Sequence, residues 1–523
     1  MYTMKNFIFR LSIMAVAMIF SLSCTSDKLN PEPIWDNAAM VFYANVGEAH
    51  AKSGLAEMDI TKLEQQLNQE FGENSAEAGV VKAILKNPNA SGFALDRPVY
   101  VAVGEYGDDV NRYNLIASIE VASATEVDSF FKTMTDDYDE AQITLEKDRR
   151  IISIDKDVLF GYDNKRLVLV ATEDSNCNLH EVLNKHMKYD AADMSRFNGY
   201  DAALYVDIND DTLALLAEET DVDDIQLSDY FNENATAIMG LSFDDGSILY
   251  NTELTGLAED VVNPLKKANA ASLKRLESSP IALLNMGVNG EVLADLANVA
   301  IDVAMAELGG ANNEFNIYKN IALGVIASIN GDMMFALSDA EGTTVEDYMG
   351  DQQLVFSTAN ALFTAEVIDD YIMKNIDTYG GAFLAKQGDK YSVNAFGNRI
   401  TIAQDDNLFY VGVNNSGEVK KHSAYDDKWA EDVADCYLYA MIDFNELFKS
   451  GFGRMAKSLI LNDIRNPKER EAIMSTLSAL GSLHFSIDGE NDKMYSELMI
   501  TTNDSSKNSL QQIVELCYEL AYN

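Results

Sequence analysis

The chain has 523 residues and a formal net charge of −45, from 84 acidic against 39 basic side chains. So acidic a surface excludes nucleic acid, whose phosphates need basic patches, and offers anionic lipid headgroups no attraction. The four cysteines lie far apart in sequence and are too few for a full disulfide framework once Cys24 is set aside, which leaves room for one pair. If Cys24 is modified, three remain, read as small buried hydrophobes.

Met1 to Arg10 carries Lys5 and Arg10 and no acid. Leu11 to Leu22 is then an apolar run too short to span a membrane, followed by small residues and Cys24. This is the form of an export signal, residues 1–23. Ser21-Leu22-Ser23-Cys24 resembles the lipobox of bacterial lipoproteins, with Ser21 where that pattern usually has Leu. The resemblance implies lipid attachment at Cys24, palmitate included. Ser26, where inner-membrane retention would have Asp, implies an outer-membrane destination. Several acyl chains hold a soluble body on a bilayer almost permanently, since each buried methylene contributes about 0.8 kcal/mol. Residues 24–35 read as a polar tether. No later segment is long and apolar enough to cross a membrane as a helix.

From there the same order of elements occurs twice. Met40 to Glu48 and Ile281 to Glu291 open the two copies as strands. Helical stretches follow, with Leu63, Leu67 and Phe71 on one face in the first and Leu293, Leu296, Val299 and Val303 in the second. Strand pairs come next: Pro98 to Val103 with Tyr113 to Val121, and Met333 to Leu337 with Leu354 to Thr358. Thr125-Glu126-Val127-Asp128 has capping-box form ahead of an apolar stripe, Val127, Phe130, Phe131 and Met134. Its counterpart starts at Thr364 and carries Ile368, Tyr371, Ile372 and Ile376. Three short strands follow in each copy, with turns at Asp163-Asn164 and Asp405-Asp406. Ala203 to Asn209 then matches Tyr439 to Asn445. Each copy closes with a hairpin, Asp245-Gly246 or Asp488-Gly489, and a helix, around Val261 to Leu276 and Leu510 to Tyr522. The reading is α+β: two tandem, internally duplicated lobes, 36–277 and 278–523, with mainly antiparallel sheets packed by helices.

The stretch from Lys86 to Tyr100, KNPNASGFALDRPVY, and the earlier Ala51-Lys52-Ser53-Gly54-Leu55 resemble Bacteroidetes lipoproteins carrying a domain of unknown function, DUF4836. The resemblance covers nearly all of the chain after the signal. It implies an envelope location and brings neither an activity nor a catalytic residue.

Constellations with catalytic or metal-binding form are sparse. Cys177-Asn178-Leu179-His180-Glu181 with His186 suggests a metal helix, but its histidines are six apart, where one helical face needs four. The alternative is a solvated helix with Leu179 and Val182 inward. His50, His422 and His484 stand isolated, and a base role for any needs a partner the sequence does not show. Asp207 to Asp211 and Asp221 to Asp224 supply oxygens without the Gly and Glu of a calcium loop. Asp211-Thr212-Leu213 resembles an O-glycosylation triplet of Bacteroidetes exported proteins. No nucleophile elbow, phosphate loop or dinucleotide fingerprint occurs. No catalytic residue, metal site or cofactor is therefore assigned, and Cys24 is the one site residue. Three readings stay open. The first is a lipid-anchored, non-catalytic module binding an envelope protein or a glycan. The second is a structural or assembly component of an envelope complex. The third is a polysaccharide or peptide hydrolase using paired carboxylates.

Overall fold

A computed structural model describes residues 38–522, apart from 73–75, 106–112, 136–141, 147–148, 154–157, 173–176, 188–194, 210–229, 263–264, 270, 308–312, 340–342, 349–350, 357–359, 381–383, 396, 418–432, 452, 455–456, 458–463 and 465. The signal, Cys24, the tether, His422, Asp210 to Asp224 and the glycosylation triplet lie outside the described residues.

Ten strands come first: β1 (Ala38–Ala44), β2 (Val99–Glu105), β3 (Tyr113–Glu120), β4 (Gln142–Glu146), β5 (Arg149–Ser153), β6 (Val158–Tyr162), β7 (Arg166–Thr172), β8 (Ala202–Ile208), β9 (Phe231–Asp244) and β10 (Ser247–Leu257). Twelve follow: β11 (Ala282–Asn289), β12 (Ile329–Asp339), β13 (Thr343–Tyr348), β14 (Asp351–Phe356), β15 (Asn360–Val367), β16 (Ala385–Gln387), β17 (Lys390–Ala395), β18 (Asn398–Asp405), β19 (Leu408–Val413), β20 (Leu438–Asp443), β21 (Leu480–Glu490) and β22 (Lys493–Thr502). β13 and β14 form a separate ladder, and the others belong to one 20-stranded sheet whose described ladders are antiparallel.

This corrects the α+β expectation of two lobes, each with its own sheet packed by helices. The strands dominate, most helices between them are short, and the hydrogen-bonded network is one sheet. Apolar alternation identifies strands but does not mark where a sheet stops, because an edge strand's free N–H and C=O groups accept a further strand.

The chain has two compact units. Unit 1 runs to Gly256 and takes back Asp504–Asn523, and unit 2 is Leu257–Asn503. The pairing order in unit 1 is β4-β5-β6-β7-β3-β2-β1-β8-β9-β10. In unit 2 it is β16-β17-β18-β19-β15-β12-β11-β20-β21-β22, the same path.

In unit 1 the face bearing Val41 and Tyr43 packs under Leu179, Leu183 and Met187 and under Phe197, which stacks on Tyr43 at 4.7 Å. The opposite face is roofed at one end by helices 124–135, 46–53 and 509–522. Phe131 stacks there on Tyr162 at 5.3 Å and meets Phe130 and Phe160 edge-on. Helix Ala124–Thr135 is capped by Ser123, which accepts from Glu126 N. The box therefore lies two residues before the one read at Thr125. In unit 2 the face bearing Leu283 and Asn285 packs under the 3-10 turn Ala271–Arg275, with Leu273, Leu276, Tyr410 and Tyr439 buried.

Several local readings are also corrected. Thr364 lies in β15 and starts no helix, and the helix there is Tyr371–Asn375, leaving Ile368 exposed. The strand around Leu354 pairs with β13, while β15 is the partner of β12. Val261 to Leu276 is a short helix, Glu259–Val262, then a 3-10 turn. Leu293 and Val299 are exposed on helix Gly290–Glu307. Cys177 and Cys436 are half-buried and Cys517 is exposed, and none of the three is in a disulfide.

Candidate functional site

A half-solvated antiparallel sheet alternates apolar and polar residues, so that one face meets the core and the other meets water. Neither unit follows that rule, because the face opposite Tyr43 and Asn285 is also apolar. In unit 2 the register places Leu498, Phe485, Ala440, Leu284, Phe335, Phe363, Val411 and Ile402 side by side across eight strands. Two residues along each strand, Ile500, Leu483, Ile442, Ala282, Leu337, Ala361, Val413 and Ile400 form a parallel row. Ile487, Leu438, Met286, Met333, Ala365 and Phe409 form a third on the other side.

Unit 1 repeats the pattern. Its central row is Met239, Leu204, Phe42, Val101, Ala117, Leu169, Phe160 and Ile152. Ala237, Val206, Met40, Val103, Leu115, Ala171 and Val158 lie beside it.

Coverage of this second face is partial. Val325, Ile372 and Ile376 close over Phe409 and Val367 in unit 2, as Phe130 and Phe131 close over Phe160 and Ile152 in unit 1. Elsewhere the rows are mostly half-buried, and Phe335 is 54% exposed, Phe42 48% and Leu115 37%. Thirteen of the sixteen residues in the two rows of unit 2 named first are aliphatic and the other three are phenylalanines, so no side chain there is charged or forms hydrogen bonds.

The first face of unit 2 holds a buried polar set. Tyr439, Asn285, Met334, Thr364, Tyr410 and Ala403 form one row. Neither polar end of the Asn285 amide has a hydrogen-bond partner, and neither do Thr364 Oγ1, Ser272 Oγ and Asp332 Oδ2. Asp332 Oδ1 accepts from Asn269 N at 2.5 Å, at the entry to the 3-10 turn. Glu366 Oε2 accepts from Asp332 N and from Asn269 Nδ2, both at 3.0 Å. Burial pushes the Asp332 carboxyl above its usual range, and the Glu366 carboxylate adds to this, against the Asn269 N–H. Asp332 and Glu366 are the neighbouring acids a hydrolase would want. However, Asp332 has no exposed surface and cannot meet a substrate.

His484, read as isolated, is partnered. Its Nδ1 lies 2.7 Å from Tyr439 Oη and its Nε2 2.8 Å from Ser482 Oγ, which is 2.8 Å from Thr501 Oγ1. In unit 1 the pairing order puts Ile238 at the place of His484, whereas Thr236 and Thr255 form the matching hydroxyl pair at 2.6 Å. The hydroxyl pair is thus common to both copies and the imidazole is not, which fits cross-strand stabilisation rather than chemistry. His50 is buried, with Nε2 2.9 Å from Leu85 O. Cys177 and Val182 pack against buried Leu179 and Leu183, and His180 and Glu181 face solvent. Among the described residues no three His, Cys, Asp or Glu side chains are grouped as metal ligands.

Unit 1 carries a buried ion pair that the sequence did not reveal. Lys52 Nζ lies 2.9 and 2.8 Å from the two oxygens of Asp201, which is 2% exposed and also accepts from Phe243 N at 2.7 Å. Burial raises the Asp201 pKa. Desolvation lowers Lys52, but the hydrogen bonds and charges of Asp201 and then Glu48 together outweigh it and raise the pKa. Nearby, burial and then Glu48 and Asp201 push Tyr43 up to about 12.

A family model described as "Domain of unknown function (DUF4836)" matches residues 33–451. No curated protein matches the chain. Crystal forms I and III of TP0453 are similar to 46% of the chain at 12% identity. They are covered over 77% and 88% of their own length, with TM-scores of 0.24 and 0.26. Scores this low do not establish a shared fold.

Proposed function

We propose, for a chain that belongs to the DUF4836 family, the role of a lipid-anchored envelope module that binds an apolar partner without catalysis. The observation that carries this reading is the second face of each unit, apolar in successive cross-strand rows and open at Phe42 and Phe335. Exposed apolar surface of this kind marks an interaction site. A glycan would need hydrogen-bonding side chains beside its aromatic platforms, and the rows offer none, so an apolar partner is favoured. The pair Asp332 and Glu366 offers a hydrolase little, since Asp332 is closed to substrate by burial.

The anchor belongs to the same reading. The lipobox-like Ser21 to Cys24 and the Bacteroidetes lipoprotein resemblance support acylation at Cys24 and an outer-membrane location. Metabolic labelling with palmitate should mark the parent chain and not Cys24→Ser. For the binding face, a photo-crosslinking amino acid at position 42 or 335 should give adducts in intact envelopes that the same probe at exposed Asn491 does not. Equal adduct formation at all three positions would remove the binding reading.

A further inference from the structure

We propose that Asn198 is a self-modifying site. The Gly199 nitrogen converts its side-chain amide to aspartyl and isoaspartyl products with water as the only co-reactant, and the fold withholds this reaction from the chain's other two Asn-Gly pairs. Asn-Gly occurs at 198–199, 289–290 and 330–331. A glycine next in the chain offers its nitrogen to the asparagine amide with no side chain in the way. The fold then decides where the peptide plane between the two residues can turn until that nitrogen faces Cγ.

At two of the pairs it cannot. Asn289 ends β11 and lies opposite Asn330 of β12, and Gly331 is paired with Val288 in the same ladder. Gly290 is buried at the start of helix Gly290–Glu307, with Ile326 O and Ile329 O where its Cβ would be. Asn330 Oδ1 accepts from Lys266 Nζ at 2.8 Å, and the Glu366 side chain fills the space beside Gly331. Turning either peptide plane breaks ladder bonds or drives backbone into backbone, so reaction there waits on opening of the sheet.

Asn198 and Gly199 are both exposed, on the turn between Ser195–Phe197 and β8. Neither the Asn198 amide nor the Gly199 N–H makes a hydrogen bond among the described residues. Gly199 has φ 96, and nothing lies within 4 Å of the place of a Cβ. Two hydrogen bonds restrain the turn, Tyr200 N to Phe197 O at 3.0 Å and Ser242 Oγ to Gly199 O at 2.8 Å, and neither engages a reacting atom. Hydroxide takes the Gly199 N–H proton, the nitrogen bonds to Asn198 Cγ, and the Cγ–Nδ2 bond breaks. Nδ2 takes a proton from water and leaves as ammonia. Water then opens the five-membered imide at either carbonyl, and opening at the backbone carbonyl carries the chain through Cβ and Cγ. An added backbone atom and a new carboxylate then sit between Phe197, fully buried against Tyr43, and Asp201, buried on Lys52.

The test ages the full chain in heavy-oxygen water in mildly alkaline buffer and maps label by peptide mass spectrometry. Heavy oxygen is expected at position 198 in two products of equal mass, one of them isoaspartyl, with label at 289 and 330 lower by at least about tenfold. Mildly acidic buffer should slow the labelling, because the Gly199 nitrogen must lose its proton. In urea all three pairs should label alike, which assigns the protection to the fold. Asn198→Gln, whose ring would need a sixth member, should stay unlabelled at that position with unchanged circular dichroism. A folded parent unlabelled at 198, or labelled equally at 289 or 330, overturns the proposal. The parent's urea midpoint should fall as label accumulates while that of Asn198→Gln holds, and a parent midpoint that stays in place overturns the link to Phe197 and Asp201.

Discussion

Replacing Thr364 with Val asks whether the unpaired polar set on the first face of unit 2 costs the fold stability. Thr364 is fully buried, its hydroxyl has no partner, and its row neighbours are Met334 and Tyr410. The unfolded chain hydrates that hydroxyl and the folded chain does not, a penalty of about 1–3 kcal/mol. Val keeps the β-branched shape that β15 favours and puts a methyl where the hydroxyl was. Thr364→Val should therefore stabilise the protein by about 1–2 kcal/mol, against the usual sign for a core substitution. For a unit of this size that is a rise in Tm of about 2–8 °C. Urea unfolding should show a higher midpoint at an unchanged slope. Asn285→Leu should stabilise as well, and because both residues flank Met334 the double variant should depart from additivity by about 0.5 kcal/mol or more. A Val variant less stable than the parent would refute the reasoning, because it would mean that the hydroxyl is satisfied in solution and the polar set is organised around what satisfies it.

Lys52→Met should cost unit 1 about 3–5 kcal/mol in chemical denaturation, because it leaves the buried Asp201 carboxylate without its cation; a loss below about 1 kcal/mol would deny the pair its role. Asp332 has a raised native pKa, so the folded state holds its proton more tightly than the unfolded one. Its contribution is complete below the unfolded value of about 3.9 and is lost as pH rises through the native value. Asp332→Asn removes that loss, so its stability relative to the parent should increase from about pH 4.5 to pH 7 in paired urea titrations, and a flat difference would contradict the assignment. Gly287→Ala would set a Cβ 2.0 Å from Lys266 O, a backbone atom, and should abolish the pairing of that segment with β11. A soluble variant that keeps the parent's hydrogen-exchange protection at Ala268, whose N–H donates to Cys436 O beside that bridge, would disprove this.

Strand positions were legible in the sequence wherever alternation ran between tight turns, as at Val158 to Tyr162 and Leu408 to Val413. The stripe Val127, Phe130, Phe131 is buried as its spacing requires. Legibility failed where a strand carries apolar residues on both faces. Asn360–Val367 reads Asn-Ala-Leu-Phe-Thr-Ala-Glu-Val, whose apolar residues on both faces imitate a helix start at Thr364. The same property hid the candidate site, because cross-strand rows exist only once the register is known. Asp488-Gly489 also misled: β21 continues to Glu490 and the chain turns at Asn491-Asp492, two residues later. The partners of His484 come from one strand away and from two residues along, so no local motif announces them.

A sheet apolar on both sides has a consequence for folding. In an ordinary half-buried sheet a one-residue slip drives apolar side chains into water, and that cost enforces the register. Around Phe42 and Phe335 a slip exchanges one apolar set for another and meets little such resistance. The burden of fixing the frame passes to the turns, where the chain adopts left-handed backbone at Gly246 (φ 74), Asp406 (φ 52) and Asn491 (φ 58). Each of those three residues pins the frame of the hairpin it closes. A β-branched residue at position 406 or 491 should lower the yield of correctly paired chains well before it changes the stability of those that form.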